Sequence, residues 1–337
     1  MPDFLQSTPA DLKRAADLLQ QGELVAIPTE TVYGLAANAF DEHAVRTIFT
    51  VKGRPLIDPL ILHLADVRQL EQIAATDNEH LATVANEFWP GPLTVILKKK
   101  NCVSDLVTAG RETVAVRVPD HPVAQAILKA CNLPLAAPSA NPFGYVSPTR
   151  PEHVADSFGA KVPYIVDGGP CENGIESTII DLSADAPTLR RPGPISQQQL
   201  EARTGIAFSV VHAQQDVATS TGEMAPGSLY KHYSPKATLL LLGEPPTEIP
   251  AIPFDLNQVA SAYVALTRTP RFPELAAKCQ LFWLSETPNN LKVIGQNTFG
   301  ILRQLDQMGF ARIFFERPPA YEMGIAINDR LQRAAAQ

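Results

Sequence analysis

Runs of three to five apolar residues, too short for helices and rich in Val, Ile and Leu, recur through the first two hundred residues and constrain the scaffold most. They fall at 24–27, 60–64, 93–97, 114–118, 135–137, 164–166 and 178–182, and a further short strand pattern, Thr188-Leu189-Arg190, stands at 188–190. Each reads as a buried strand. Several follow one another without an intervening helix, as 178–182 and 188–190 do. A purely parallel, doubly wound sheet needs a crossover between neighbours, so the pattern predicts a twisted mixed sheet with helices packed on it. Two helices are explicit: Thr8-Pro9-Ala10-Asp11 reads as a capped start with proline in the first turn and leads into Leu12, Ala15, Ala16 and Leu19, with Gly22 as the stop. Asp41 caps a second, carrying Val45, Ile48 and Phe49, so Lys52 lies where that helix gives way to the strand at 60–64.

Composition changes after Gly205. Residues 210–235 are polar and end in Pro226-Gly227-Ser228-Leu229-Tyr230-Lys231-His232-Tyr233-Ser234-Pro235, which is poor in regular-structure signals. Beyond it, strand patterns at 237–242, 262–266, 281–284 and 312–315 precede or alternate with helical patterns at 291–308 and 321–335, predicting a smaller Rossmann-like α/β domain with a parallel sheet. The expected organisation is a catalytic domain at 1–209, a linker or lid at 210–236 and a small domain at 237–337. A chain of 337 residues with 45% hydrophobic composition can bury two such cores.

A formal net charge of -7 argues against a general nucleic-acid coat. Residues 1–21 lack a basic start followed by an apolar run, and no later segment stays apolar long enough to cross a bilayer, so the expectation is a cytoplasmic protein without a membrane partner. Cys102, Cys131, Cys171 and Cys279 are scattered without a CxxC pair and read as small buried hydrophobes, neither a disulfide frame nor a zinc site.

The usual phosphate fingerprints are missing. Gly169 to Gly174 has the spacing of a phosphate loop but continues Ile175-Glu176, without the lysine and hydroxyl, and no GxGxxG follows a strand. Nucleotide binding then has to come from dispersed side chains on loops at strand ends. Lys52 and Arg54 offer a point charge and a planar fork suited to phosphate oxygens, although Lys-Gly-Arg-Pro alone equally describes a surface turn. Ser139-Ala140-Asn141 leaves an apolar strand, as an ordinary Asx or Ser turn also would. Arg117 is a lone cation in a buried strand and needs an anionic partner, either a ligand or an internal acid. Ser177-Thr178, Arg191-Pro192-Gly193 and the hydroxyl-rich Thr29-Glu30-Thr31-Val32-Tyr33-Gly34-Leu35 repeat the theme at other strand ends. Each alone is a cap or a turn. Together they form a recurring pattern of strand-end cations and hydroxyls.

These segments, with Pro59-Leu60, His63, Pro90-Gly91-Pro92-Leu93-Thr94 and Val116-Arg117-Val118-Pro119, resemble in order and spacing the YrdC-like threonylcarbamoyl-AMP synthases over roughly the first two hundred residues; the remainder looks like that family's longer, two-domain form. The resemblance implies an enzyme that joins L-threonine, bicarbonate or carbon dioxide, and ATP into threonylcarbamoyl-adenylate, releasing pyrophosphate. The product then serves other, tRNA-modifying proteins acting on an adenosine beside the anticodon. It implies Lys52 and Arg54 as catalytic cations; ATP contacts at Lys52, Arg54, Asp58, Thr113, Ser139, Asn141, Ser147, Arg191 and Tyr233; and threonine contacts at Thr31, His63, Arg117, Ala137 and Ser177. Mg2+ would accompany ATP without a dedicated protein cage. Asp58 departs from the asparagine usual in the family and would repel phosphate unless a metal ion or Lys52 compensates. His63 alternates with Leu62 and Leu64 and so leaves their apolar face, toward threonine or toward solvent. Tyr233 is expected to close the pocket as part of the lid. The alternatives are an RNA-binding module, for which an acidic chain is poorly suited, and a regulatory protein of the same fold.

Overall fold

The computed structural model describes residues 1–211, 233–243 and 259–336. Eleven strands among them build one sheet: β1 (Asp3–Leu5), β2 (Val25–Ile27), β3 (Gly34–Asn38), β4 (Ile61–His63), β5 (Leu93–Lys98), β6 (Thr113–Arg117), β7 (Leu135–Ala136), β8 (Tyr164–Val166), β9 (Thr178–Asp181), β10 (Thr188–Arg191) and β11 (Ser209–Val210). Their spatial order is β1-β8-β2-β3-β7-β4-β6-β5-β9-β10-β11. Parallel and antiparallel pairs are interleaved throughout, as the closely spaced apolar runs require: β4 runs parallel to β6 but antiparallel to β7, and β5 parallel to β9 but antiparallel to β6. The first two helices stand at Pro9–Gln20 and Glu42–Lys52, capped by Thr8 and Asp41 as their sequences dictate. Gly53 ends the second in the left-handed conformation (φ 63°), releasing the chain toward β4.

Side-chain alternation divides the sheet into two chemically different faces. Leu60, Leu62 and Leu64, Val114, Val116 and Val118, and Leu93, Val95 and Leu97 all enter the main core, beneath helices that contribute Val45, Ile48, Val84 and Phe88. On the opposite face Ile61, Ile96, Ala115 and Ile179 form only a small apolar patch. At one end of that face His63, Thr94 and Arg117 are polar yet buried. A sheet face that is dry but polar is where this fold keeps its chemistry.

The smaller unit holds β12 (Thr238–Leu242), β13 (Ser261–Ala265), β14 (Gln280–Trp283) and β15 (Arg312–Glu316), ordered β12-β15-β13-β14 with all pairs parallel. Its helices Leu291–Gln307 and Met323–Ala335 face the larger unit. Val32, Val146 and Ile175 of the larger unit belong to the same apolar cluster as Ile294, Phe299 and Leu302, so the two units share a core across their boundary. Arg303 locks this seam: it donates to the carbonyls of Val146, Ser147 and His153 and to Ser157 Oγ, and lies 4.8 Å from the Tyr145 ring centroid. Gly174 (φ 70°) lets the chain touch the helix backbone, for a Cβ there would sit 2.4 Å from Gln296 Cα.

Sequence reading missed β3 and the helices Leu81–Phe88, Pro122–Cys131, Pro151–Phe158 and Gln197–Thr204. β3 reads Gly-Leu-Ala-Ala-Asn, without β-branched residues, and owes its state to pairing with β2 and β7 on either side. Cys131 and Cys171 are buried and Cys279 is partly so, but Cys102 is exposed, contrary to the expectation of four buried thiols; it sits in a turn and its Sγ donates to the Gln72 carbonyl. Most of the expected lid, residues 212–232, lies outside the described residues. Among the described residues no helix is long and apolar enough to cross a membrane.

Candidate active site

The strand registers bring the candidate residues together. His63 closes β4 opposite Arg117, which closes the parallel β6. β5 is antiparallel to β6 and parallel to β9, so Pro92 and Ser177, just before those strands, reach the same end of the sheet. β10 returns antiparallel to β9 and sets Arg191 opposite Ile179. The chain leaving β7 passes β4, where the Ala137 amide donates to the Ile61 carbonyl, and then Gly34, which bridges to Ser139. Between these pieces lies a cavity of ≈ 60 Å³ lined by Thr29, Thr31, Val32, Gly34, Arg54, Pro59, Ile61, His63, Arg117, Ala137, Pro138, Ser139, Glu176, Ser177, Arg191 and Tyr233.

All five residues expected at threonine, Thr31, His63, Arg117, Ala137 and Ser177, line that cavity. Of those expected at ATP, Arg54, Ser139, Arg191 and Tyr233 do so, whereas Lys52, Asp58, Thr113, Asn141 and Ser147 stand outside the lining. Lys52 Nζ donates to the Ser139 and Asn141 carbonyls, tying the end of its helix to the loop after β7. Burial, reinforced by the Arg54 cation, holds its pKa well below the ordinary lysine value. Asn141 Nδ2 donates to the Pro142 and Tyr145 carbonyls and so shapes the same loop. Thr113 opens β6 opposite Lys98, at the end of the strand away from Arg117.

Three carboxylates border the site and each is matched to an arginine. Glu30 Oε1 lies 2.6 Å from Arg117 Nη2, and both side chains are about one-twentieth exposed. This answers the question of Arg117's partner: an internal acid, a glutamate from the loop after β2. Arg117 Nη1 also donates to Thr31 Oγ1 at 2.8 Å and Nε to the Gly91 carbonyl. Asp58 Oδ2 lies 2.9 Å from Arg54 Nη2, so the acid at the family's asparagine position is neutralised by Arg54, with Nε and Nη2 of Arg54 also reaching the Asp58 and Pro59 carbonyls. Glu176 accepts from Ser147 Oγ at 2.6 Å and from Arg330 Nε at 2.8 Å. Arg191 is buried and donates to the Ser177 carbonyl and Oγ; burial draws its pKa down to about 10. Ser177 Oγ also pairs with Thr94 Oγ1 at 2.8 Å.

His63 is buried, which removes the solvent-facing alternative. Burial and the neighbouring Arg117 cation lower its pKa to about 3, leaving a neutral imidazole whose Nδ1 finds no hydrogen-bond partner among the described residues. Tyr233, at φ 66°, is 1% exposed and stacks on Phe299 with ring centroids 5.5 Å apart. The next amide, Ser234 N, donates to the Gly144 carbonyl, which fastens the aromatic ring over the cavity. Sequence reasoning did not assign roles to Glu30 and Glu176. Their signal was position: one lies between two threonines of the loop after β2, the other directly before Ser177, where an isolated acid beside buried cations has to be paired.

Among the described residues no group of three metal-ligating side chains is assembled. A small cavity walled by several arginines, one neutral histidine and hydroxyls suits a compact zwitterion beside a polyanion.

The chain is similar to known proteins over nearly its whole length. Residues 17–193 match a family model described as "Telomere recombination", and residues 195–336 match one described as the C-terminal domain of threonylcarbamoyl-AMP synthase. The chain is 39% identical over 337 residues to a threonylcarbamoyl-AMP synthase of Bacillus subtilis, covering 99% of this chain and 95% of the relative. A Pyrococcus abyssi protein of the same name is 37% identical, with 96% and 94% covered. Among solved structures, P. abyssi Sua5 complexed with L-threonine superposes with a TM-score of 0.88 at 35% identity, covering 99% of this chain and 97% of the other.

Proposed function

The chain belongs to the threonylcarbamoyl-AMP synthase family, and from that premise we propose that its cavity joins L-threonine, carbon dioxide or bicarbonate, and ATP into threonylcarbamoyl-adenylate. The observation that carries the reading is the convergence of Arg54, Arg117 and Arg191 with His63 and Ser177 on one cavity. On this reading threonine lies against Thr31, His63, Arg117, Ala137 and Ser177, all of which line the cavity. The triphosphate lies toward Arg54 and Arg191, and Ser139 and Tyr233 complete the nucleotide side.

The amine nitrogen of threonine bonds to the carbon of carbon dioxide and releases a proton; the resulting carbamate oxygen bonds to the α-phosphorus of ATP as the bond to pyrophosphate breaks. If bicarbonate is taken up, water leaves in the first step. Both partners of the second step are anions, so the protein's task is to neutralise and align them. Pairing sets the local charge: Glu30, Asp58 and Glu176 are each ion-paired with an arginine and do not repel incoming phosphate at full strength. His63, neutral at pH 7, offers a hydrogen bond to threonine without adding a competing charge. Lys52 acts one step back from substrate by holding the Ser139 loop. Magnesium enters as the Mg-ATP substrate.

A cavity of ≈ 60 Å³ is far below the roughly 300–1,000 Å³ of ligand clefts, so substrates enter when Tyr233 withdraws, and its return excludes water from a labile adenylate. The product then leaves for proteins that transfer the threonylcarbamoyl group to a tRNA adenosine. The test is pyrophosphate release from ATP by the full-length chain, with the adenylate identified by mass spectrometry. Release should require L-threonine and bicarbonate together; release indifferent to either one, or none from folded protein, overturns the assignment.

A further inference from the structure

The helix Met323–Ala335 belongs to the smaller unit, yet Arg330 on that helix reaches the wall of the cavity. Arg330 is 0% exposed. Its Nε donates to Glu176 Oε2 at 2.8 Å, its Nη2 donates to the Pro192 carbonyl at 3.0 Å, and its guanidinium carbon lies 5.5 Å from the centroid of the Tyr233 ring. Nη1 is held by Asp329 at 2.6 Å, which fixes the fork from its own helix. Through Glu176 the contact continues to Ser147 Oγ, 2.6 Å away on the other carboxylate oxygen. None of these partners is shared with Arg117, which is engaged by Glu30, Thr31 and Gly91.

We propose that Arg330 is a positioning residue for the nucleotide side of the reaction: without touching substrate, it holds Glu176, the chain following Arg191 and the Tyr233 ring in register, so that ATP capture depends on the docked smaller unit. The inference rests on the threonylcarbamoyl-AMP synthase reading and deepens it. The planar guanidinium is suited to the task because it serves a carboxylate, a carbonyl and an aromatic face at once, which an ammonium does not. Its removal leaves Glu176 a buried carboxylate without its cation and Pro192 without its donor.

The experiment uses full-length wild type, Arg330→Met, Arg330→Lys and Arg330→Met/Glu176→Gln. ATP affinity is measured by calorimetry without threonine, and KM for each substrate by pyrophosphate release. Arg330→Met should weaken ATP binding and raise the KM for ATP at least tenfold, while the KM for threonine moves less than threefold; Arg330→Lys should recover only part of the loss. An ATP affinity within twofold of wild type in a cooperatively melting variant, or equal rises in both KM values, overturns the proposal. Should Arg330→Met fail to melt cooperatively, the double variant, which leaves no stranded carboxylate, gives the same readout. If wild type itself shows no release dependent jointly on threonine and bicarbonate, the functional reading fails, and the calorimetric comparison still judges Arg330.

Discussion

Replacing Arg117 with Met should cost far more than the loss of one ion pair. The pair with Glu30 is buried, 2.6 Å long, and neither side chain is more than 5% exposed. Breaking such a pair from one side leaves an uncompensated charge in the interior and costs about 3–5 kcal/mol, whereas removing both charges is close to neutral. Arg117→Met and Glu30→Gln should therefore each lower the unfolding free energy by about 3–5 kcal/mol. In the double variant the loss should fall short of the sum of the singles by at least about 2 kcal/mol, the signature of coupled sites. The two tryptophans make the measurement specific: Trp89 belongs to the larger unit, where its Nε1 donates to the Leu93 carbonyl, and Trp283 closes β14 of the smaller one. Urea unfolding followed by Trp89 fluorescence in a Trp283→Phe background reports the unit that contains the pair. Additive losses, or single-variant losses below about 1 kcal/mol, would show that the pair is neither dry nor coupled as described.

Acid should weaken the fold through two histidines, His63, which is buried, and His153, which is partly so. His63 titrates at about 3 and His153 at about 4 when folded, against 6.5 in the unfolded chain, so the unfolded state binds more protons over this window and stability falls as the pH drops below 6.5. At pH 5 each group contributes about 2 kcal/mol of destabilisation relative to pH 8, and His63→Asn should remove about half of their joint pH dependence; parallel stability-pH curves would contradict this. Two glycines should separate by mechanism. A Cβ at Gly193 would lie 2.2 Å from Thr178 N and 2.6 Å from Ser177 C, so Gly193→Ala should displace the start of β9 and abolish most turnover. At Gly53 (φ 63°) a Cβ meets nothing within 4 Å, so Gly53→Ala should cost about 1–2 kcal/mol in melting experiments while retaining activity.

What was legible in the chain followed from local periodicity. The strand patterns named eight of the eleven strands of the large sheet, mostly where Val, Ile and Leu mark them; β3, Gly-Leu-Ala-Ala-Asn, carries no such mark, and β1, Asp-Phe-Leu, and β11, Ser-Val, are short edge strands. The smaller sheet was legible throughout because its strands are longer and parallel, with both faces buried by packing. At the site, the cations and hydroxyls were visible because they are unusual next to strands. The acids that balance them were not, since pairing is a three-dimensional relation: Arg117 and Glu30 stand 87 positions apart, Arg330 and Glu176 154. Asp58 shows the same limit at short range. Its sequence position suggested repulsion of phosphate, while the turn of chain before β4 folds it onto Arg54.

The cluster joining Val32, Val146 and Ile175 to Ile294, Phe299 and Leu302 has a consequence for how such a protein can change. Close packing leaves little slack for a methylene gained or lost, and here the filling is supplied from both sides of the boundary. A larger side chain at Val146 has to be answered by a smaller one on the helix that carries Phe299. The two halves are thereby held to a joint history of substitution, and grafting the smaller unit of one relative onto the larger unit of another should succeed only where the residues of the seam travel together.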